Sequence, residues 1–91
     1  MGSYRVFYHK QFIKAYKKLS LDDKTLVDGV VMSLSCDESL EAKYKDHKLK
    51  GVLKDFRECH IKPDLLLIYE KDKEILELNL LRLGSHSSLF K

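Results

Sequence analysis

Hydrophobic positions recur with two different periods along this chain, and the changes of period mark its elements. "YRVFY", residues 4–8, is β-branched and aromatic and predicts a first strand. In "HKQFIKAYKKL" the period lengthens. Phe12, Ile13, Tyr16 and Leu19 return at helical spacing, with Lys10, Lys14, Lys17 and Lys18 mostly on the other side. Leu26, Val27, Val30, Val31 and Leu34 supply a second apolar stripe, predicting a helix from about Leu21 to Ser35. Ser20, with Asp23 three residues on, resembles a capping box with Asp in the place of Glu. So short a link between two helices makes an antiparallel hairpin, whose apolar faces need a sheet to cover.

"CDESLEAKYKDHKLKG" then reads as loop ending at Gly51, with room for a short strand at His47–Lys50. The stretch "DFRECHIKPDLLLIYEKDKEILELNLLRLG" predicts three strands, about 55–61, 65–70 and 74–83, joined at Lys62-Pro63 and at Lys71-Asp72-Lys73. Pro63 suits a turn corner and lacks the donor a central strand needs. Strands joined so tightly must run antiparallel. The order is β-α-α-β-β-β, an α+β domain with the helix hairpin on one sheet face. At 91 residues the chain forms one domain, 1–91, with a single core, so any site is shared with the scaffold. Met1-Gly2-Ser3 is expected to be a vector-derived or frayed end outside the fold.

Composition changes this picture in one respect. With 44% hydrophobic and 34% charged residues the chain should fold as a soluble domain rather than stay disordered. No apolar run approaches a membrane span, and "MGSYRVFYHK" lacks the apolar stretch of a signal peptide, so the expected location is the cytoplasm, with no membrane partner. The charge, however, is unevenly spread. From Lys43 to Lys62 there are seven basic residues (Lys43, Lys45, Lys48, Lys50, Lys54, Arg57, Lys62) against three acids (Asp46, Asp55, Glu58), more than the net +3 of the whole chain. A localised positive field points to a polyanionic partner, with Lys48, Lys50, Lys54 and Arg57 as the expected phosphate contacts.

Chemistry-bearing residues fall near that stretch. Alternation in "FRECHI" puts Cys59 and Ile61 on one strand face and Glu58 and His60 on the other. If the first pair packs under the helices, His60 projects from the open face, and the Pro63 turn brings Asp64 close to it. The last strand delivers Arg82, Gly84 and His86, and His47 lies in the basic loop; His9, at the first helix start, reads as a surface residue. Such a set suits RNA cleavage. The ribose 2′-hydroxyl is a built-in nucleophile that needs a base, an acid for the departing 5′-oxygen and cations for the phosphate, and histidine can serve as either acid or base near neutral pH. A zinc set from His47, His60, Asp64 and His86 lacks the usual closely spaced pair and is surrounded by cations, so no metal or other cofactor is expected. Cys36 and Cys59 have no metal-ligand spacing and are expected to be reduced core residues.

"YKDHKLKG", "FRECHIKPDLLLIY" and "LLRLGSHSSLF" closely resemble the signature blocks of the YafQ branch of the RelE/ParE superfamily, bacterial type II toxins that cleave messenger RNA, typically on the translating ribosome. The resemblance implies a twisted antiparallel sheet flanked by two N-terminal helices, with RNA on the opposite face. It implies catalytic or substrate-contacting roles for His47, His60, Asp64 and His86, and a part for Phe90 in placing the nucleotide. Arg82 is added on geometry as a phosphate contact. Ser87-Ser88 stands where the family commonly has Ser-Asp or Ser-Glu. Gly84 is expected to give the backbone freedom to turn His86 inward, and the small serines to leave room for a nucleotide.

The expectation is therefore a metal-independent endoribonuclease toxin acting on mRNA and the ribosome, held inactive by a cognate antitoxin, with His86 as general acid. Two alternatives stand beside it. A ParE-like gyrase inhibitor would not need the histidine set, and a plain RNA-binding module would bind on the same face without cutting.

Overall fold

Strand β1 (Arg5–Tyr8) leads into helices α1 (Lys10–Lys17) and α2 (Leu21–Ser35). A 3₁₀ turn (Ala42–Tyr44) follows, then β2 (His47–Lys48), β3 (Arg57–Lys62), β4 (Leu65–Asp72), β5 (Glu77–Gly84) and a short helix α3 (His86–Leu89). The computed structural model describes residues 3–51 and 55–90. The expected Lys54 contact lies outside these residues.

The strands form one sheet in the order β1-β5-β4-β3-β2. β2–β3, β3–β4 and β4–β5 are antiparallel as expected, but β1 pairs with β5 in parallel. That corrects the wholly antiparallel sheet. Only strands joined by tight turns are forced to be antiparallel, and β1 reaches its partner through the helix hairpin and the rest of the sheet. The second connection also lies later than expected, at residues 73–76. Asp72 Oδ1 accepts the amides of Glu74 (3.0 Å) and Ile75 (3.3 Å), and Leu76 has a positive φ of 54°, so the side chain of Asp72 builds the turn and leaves Ile75 exposed.

One face of the sheet carries the core. Phe12 from α1 and Val27, Val30, Val31 and Leu34 from α2 pack over Cys59, Ile61, Leu67, Tyr69, Leu78, Leu80 and Leu83. Burial of this apolar surface is the main stabilising term. Ile13 and Leu26, counted in the helical stripes, stand on the flanks at 37% and 44% exposure. Ser20 Oγ caps α2 by accepting from the Asp23 amide at 3.1 Å. The carboxylate of Asp23 does not close the box; it pairs with Lys62 Nζ on β3 at 2.8 Å and ties the helix to the sheet. Cys59 is buried as expected, and burial pushes its thiol up to about 12. Cys36 is exposed instead, because the helix ends there and it serves as the C-cap.

Candidate active site

Antiparallel register sets two rows of side chains on the face opposite the helices. His47, Glu58, Ile68 and Arg82 are aligned across β2–β5, and His60, Leu66 and Gly84 form the row beside them. β4 supplies the apolar floor, since Leu66 and Ile68 are buried, and its neighbours supply the polar groups.

The centre of the arrangement is Glu58, the one buried charged residue among those described, at 6% exposure. Its Oε1 lies 3.3 Å from His47 Nε2 and 3.6 Å from His60 Nε2. The two imidazoles are 6.4 Å apart between ring centres. A carboxylate removed from water must be compensated by nearby positive or donor groups, and here two histidines provide them. The sequence pattern put Glu58 on the face of His60 without assigning it a role. The signal was there in the alternation, an acid on the same strand face as a candidate histidine, but its burial depends on β2 folding back alongside.

His47 is held at both ring nitrogens. Nδ1 is 2.6 Å from the Lys45 carbonyl, which can only accept, so Nδ1 carries a proton. Nε2 faces Glu58. The loop that presents His47 is tied down on the opposite side of the sheet. Lys45 takes a left-handed conformation (φ 48°, ψ 43°), and the next residue, Asp46, accepts from the Tyr69 hydroxyl at 2.6 Å and from Arg57 Nε at 3.2 Å. Burial, then the bond to Asp46, pushes the Tyr69 phenol well above its ordinary range. Burial works against the Arg57 guanidinium, but its bonds to Asp46 and Tyr69 outweigh that and hold it above the usual range.

Arg57 is therefore not placed as the charge excess suggested. Its side chain shares the Tyr69 side of β3, one residue out of phase with Glu58 and His60, and it is paired rather than free for phosphate. His60 has Glu58 at Nε2 and no hydrogen bond to Nδ1 among the described residues. Asp64 is exposed, the second residue of the two-residue turn Pro63-Asp64, and takes no part in the ion pairs of His47 and His60. Arg82 is exposed on the histidine face, in register with Ile68.

After β5 the chain folds back. Ser85 caps α3, its Oγ accepting from the Ser88 amide at 3.2 Å, and Ser88 Oγ donates to the Ser85 carbonyl at 3.0 Å. His86 and Phe90 stack as a tilted pair, 5.1 Å between ring centres. Both line a shallow cleft of about 300 Å³ with His47, Lys48, Lys50 and Glu58. Gly84 is not in the left-handed region. Its role is close approach, because a Cβ there would meet Ser88 Oγ at 2.6 Å and Leu89 Cδ2 at 3.5 Å. With Ser88 in place, only a residue without a side chain lets α3 lie on the strand as it does.

The comparisons with known proteins agree with this fold. The family model described as the bacterial toxin of type II toxin-antitoxin system, YafQ, matches residues 4–91. The chain belongs to the YafQ toxin family. The mRNA interferase toxin YafQ of Escherichia coli K12 is 43% identical over 51 residues, an alignment covering 56% of this chain and 53% of that protein. The match thus spans about half of that YafQ's length. Among solved structures, a copper-bound mutant toxin from Helicobacter pylori superposes with a TM-score of 0.87 at 45% identity, covering 96% of this chain and 99% of the other. The E. coli DinJ-YafQ toxin-antitoxin complex superposes with a TM-score of 0.80 at 28% identity, covering 98% and 99%. The α+β architecture with its five-stranded sheet matches that of the E. coli YafQ structure. Among the described residues of this chain, no group of three or more His, Cys, Asp or Glu side chains is arranged to hold a metal ion, and no helix is long and apolar enough to cross a membrane.

Proposed function

We propose that this YafQ-family chain is an endoribonuclease that cleaves mRNA by attack of the ribose 2′-oxygen on the adjacent phosphate, with histidines as acid and base. One observation carries the reading: His86 and Phe90 face His47 and the buried Glu58 across one cleft, and Glu58 also holds His60.

The roles follow from which nitrogens are engaged. His47 has both nitrogens turned to acceptors, so it fixes Glu58 and contributes a donor-rich wall. His60 keeps Nδ1 free, and with Glu58 to compensate the charge it gains, it accepts the proton of the 2′-hydroxyl. The proton moves from O2′ to His60 Nδ1 as the new O2′–P bond forms. The P–O5′ bond then breaks, and His86, exposed at the start of α3, protonates the departing oxygen. Lys48, Lys50 and Arg82 offer their charges to the phosphates, and Phe90 offers a face for a base. Asp64, at the hairpin tip, contacts substrate and takes no proton. No step is assigned to a metal, because the proposed acid and base are side chains.

The E. coli relative's designation as an mRNA interferase supports the substrate class, and the ribosome is the expected setting for cleavage. The E. coli DinJ-YafQ complex supports a cognate antitoxin as the partner that silences this chain. Cleavage of mRNA by the purified protein, lost in His86→Ala and blocked by the antitoxin, tests the reading. A gyrase inhibitor or a non-cutting RNA-binding module would leave the RNA intact.

A further inference from the structure

β2 spans two residues and pairs with Arg57 and Glu58, so among the described residues no strand lies beyond the end of β3 from His60 onward. The 3₁₀ turn packs there instead, and a cavity of about 440 Å³ lies between it, β3 and α2. Its walls are Leu26, Tyr44, Ile61 and Pro63, its rim is Lys43, Lys45 and Lys62, and its remaining wall is His60. That imidazole is the same one that touches Glu58.

Among the described residues, no carboxylate lines the cavity. Lys62 is paired with Asp23, Lys43 reaches Glu41 only at 3.6 Å across an open surface, and Lys45 has no ion pair among the described residues. The Tyr44 ring is half-buried against the core and lines the cavity, and Lys43 Nζ, 5.2 Å from its centroid, covers one π-face. Such an exposed lysine is easily displaced. An aromatic face and apolar walls under a cationic rim suit one unstacked nucleotide of single-stranded RNA, and suit neither a duplex nor a cation.

We propose that this cavity is a nucleotide subsite. Tyr44 stacks the base next to the scissile phosphate, Lys45 and Lys43 meet its phosphates, and the shared wall of His60 sets the distance from that base to the cut. The proposal rests on the endoribonuclease reading and adds that base recognition lies on the α2 side of His60, away from Phe90.

The test uses short mRNAs bound to ribosomes, intact or with an abasic nucleotide placed singly on either side of the mapped cut. For the unmodified protein, removing the base from one flanking position should slow cleavage about tenfold, the scale of one lost aromatic–base stack. Tyr44→Phe should keep that penalty. Tyr44→Ala should lose it, and so should Leu26→Glu, an exposed change that does not disturb the core. Tolerance of both abasic positions by the unmodified protein, or the same penalty in Tyr44→Ala and Leu26→Glu, would overturn the subsite while leaving the nuclease intact. Failure to cut even the intact mRNA would overturn the nuclease reading and this proposal with it.

Discussion

Gly84→Ala separates the placement of His86 from the stability of the fold. The new Cβ would stand 2.6 Å from Ser88 Oγ, inside the 3.0 Å that real Cβ contacts respect, and something must move. Ser88 can rotate away only by giving up its bond to the Ser85 carbonyl, a loss of about 1 kcal/mol. Otherwise α3 lifts from the strand and carries His86 and Phe90 with it. Against that loss, alanine restricts the unfolded chain more than glycine and returns about 0.4–1 kcal/mol. The two nearly cancel, so the melting temperature should shift by less than about 4 °C. Cleavage should not be spared, because displacing a catalytic group by a fraction of an ångström to 1 Å costs up to about a hundredfold. The expected fall in single-turnover cleavage rate is about ten- to a hundredfold. Removing the obstacle should reverse it: Gly84→Ala with Ser88→Ala should recover most of the rate, since the remaining contact to Leu89 at 3.5 Å is ordinary packing. Single-turnover cleavage and thermal melts on the unmodified protein and these two variants decide it. A wild-type rate for Gly84→Ala, or no recovery in the double variant, would refute the claim that α3 is seated by close approach.

The remaining predictions use the two faces of β3 and the two cysteines. Lys48→Glu with Lys50→Glu should weaken RNA binding for every sequence and flatten the dependence of affinity on salt, while Arg57→Gln, committed to Asp46 and Tyr69, should lower the melting temperature and leave the salt slope alone. An equal change of slope for Arg57→Gln would return that residue to the RNA face. Tyr69→Phe removes a 2.6 Å bond to Asp46 and should cost about 1–3 kcal/mol in denaturant melts, with a broadened His47 Nδ1–H signal in proton NMR. At pH 8 iodoacetamide should modify Cys36 and spare Cys59, whose thiol, pushed to about 12 by burial, stays protonated until far higher pH; rapid double labelling of the folded protein would contradict this.

Most of the fold was legible because its elements are local. The 3.6-residue stripe of Val27, Val30, Val31 and Leu34, the Ser20 cap and the Pro63 turn each act within a few residues. The parallel seat of β1 beside β5 was not legible, since it depends on contacts across the whole chain. In the site, alternation put His60 on the open face and the end of β5 brought in His86. What sequence spacing could not show was the pairing of Arg57 with Asp46, which turns an apparent phosphate ligand into a brace for the His47 loop, and the burial of Glu58 between two histidines. Both arise where β2 returns to β3 from the 3₁₀ turn, a contact with no signature in the local pattern. Gly84 was singled out for backbone freedom; what the sequence could not show is the close approach of Ser88 and Leu89 to the place where a Cβ would stand.

The most direct test of the account is the chemistry of the ends. Purified protein should cut mRNA in EDTA and leave a 2′,3′-cyclic phosphate or 3′-phosphate beside a 5′-hydroxyl, because the nucleophile is the 2′-oxygen and the acid and base are side chains. His86→Ala, folded by circular dichroism, should abolish those ends, since an exposed residue of α3 carries little of the core. A 5′-phosphate product, loss on chelation of cutting on free RNA, or undiminished cleavage by His86→Ala would contradict the mechanism.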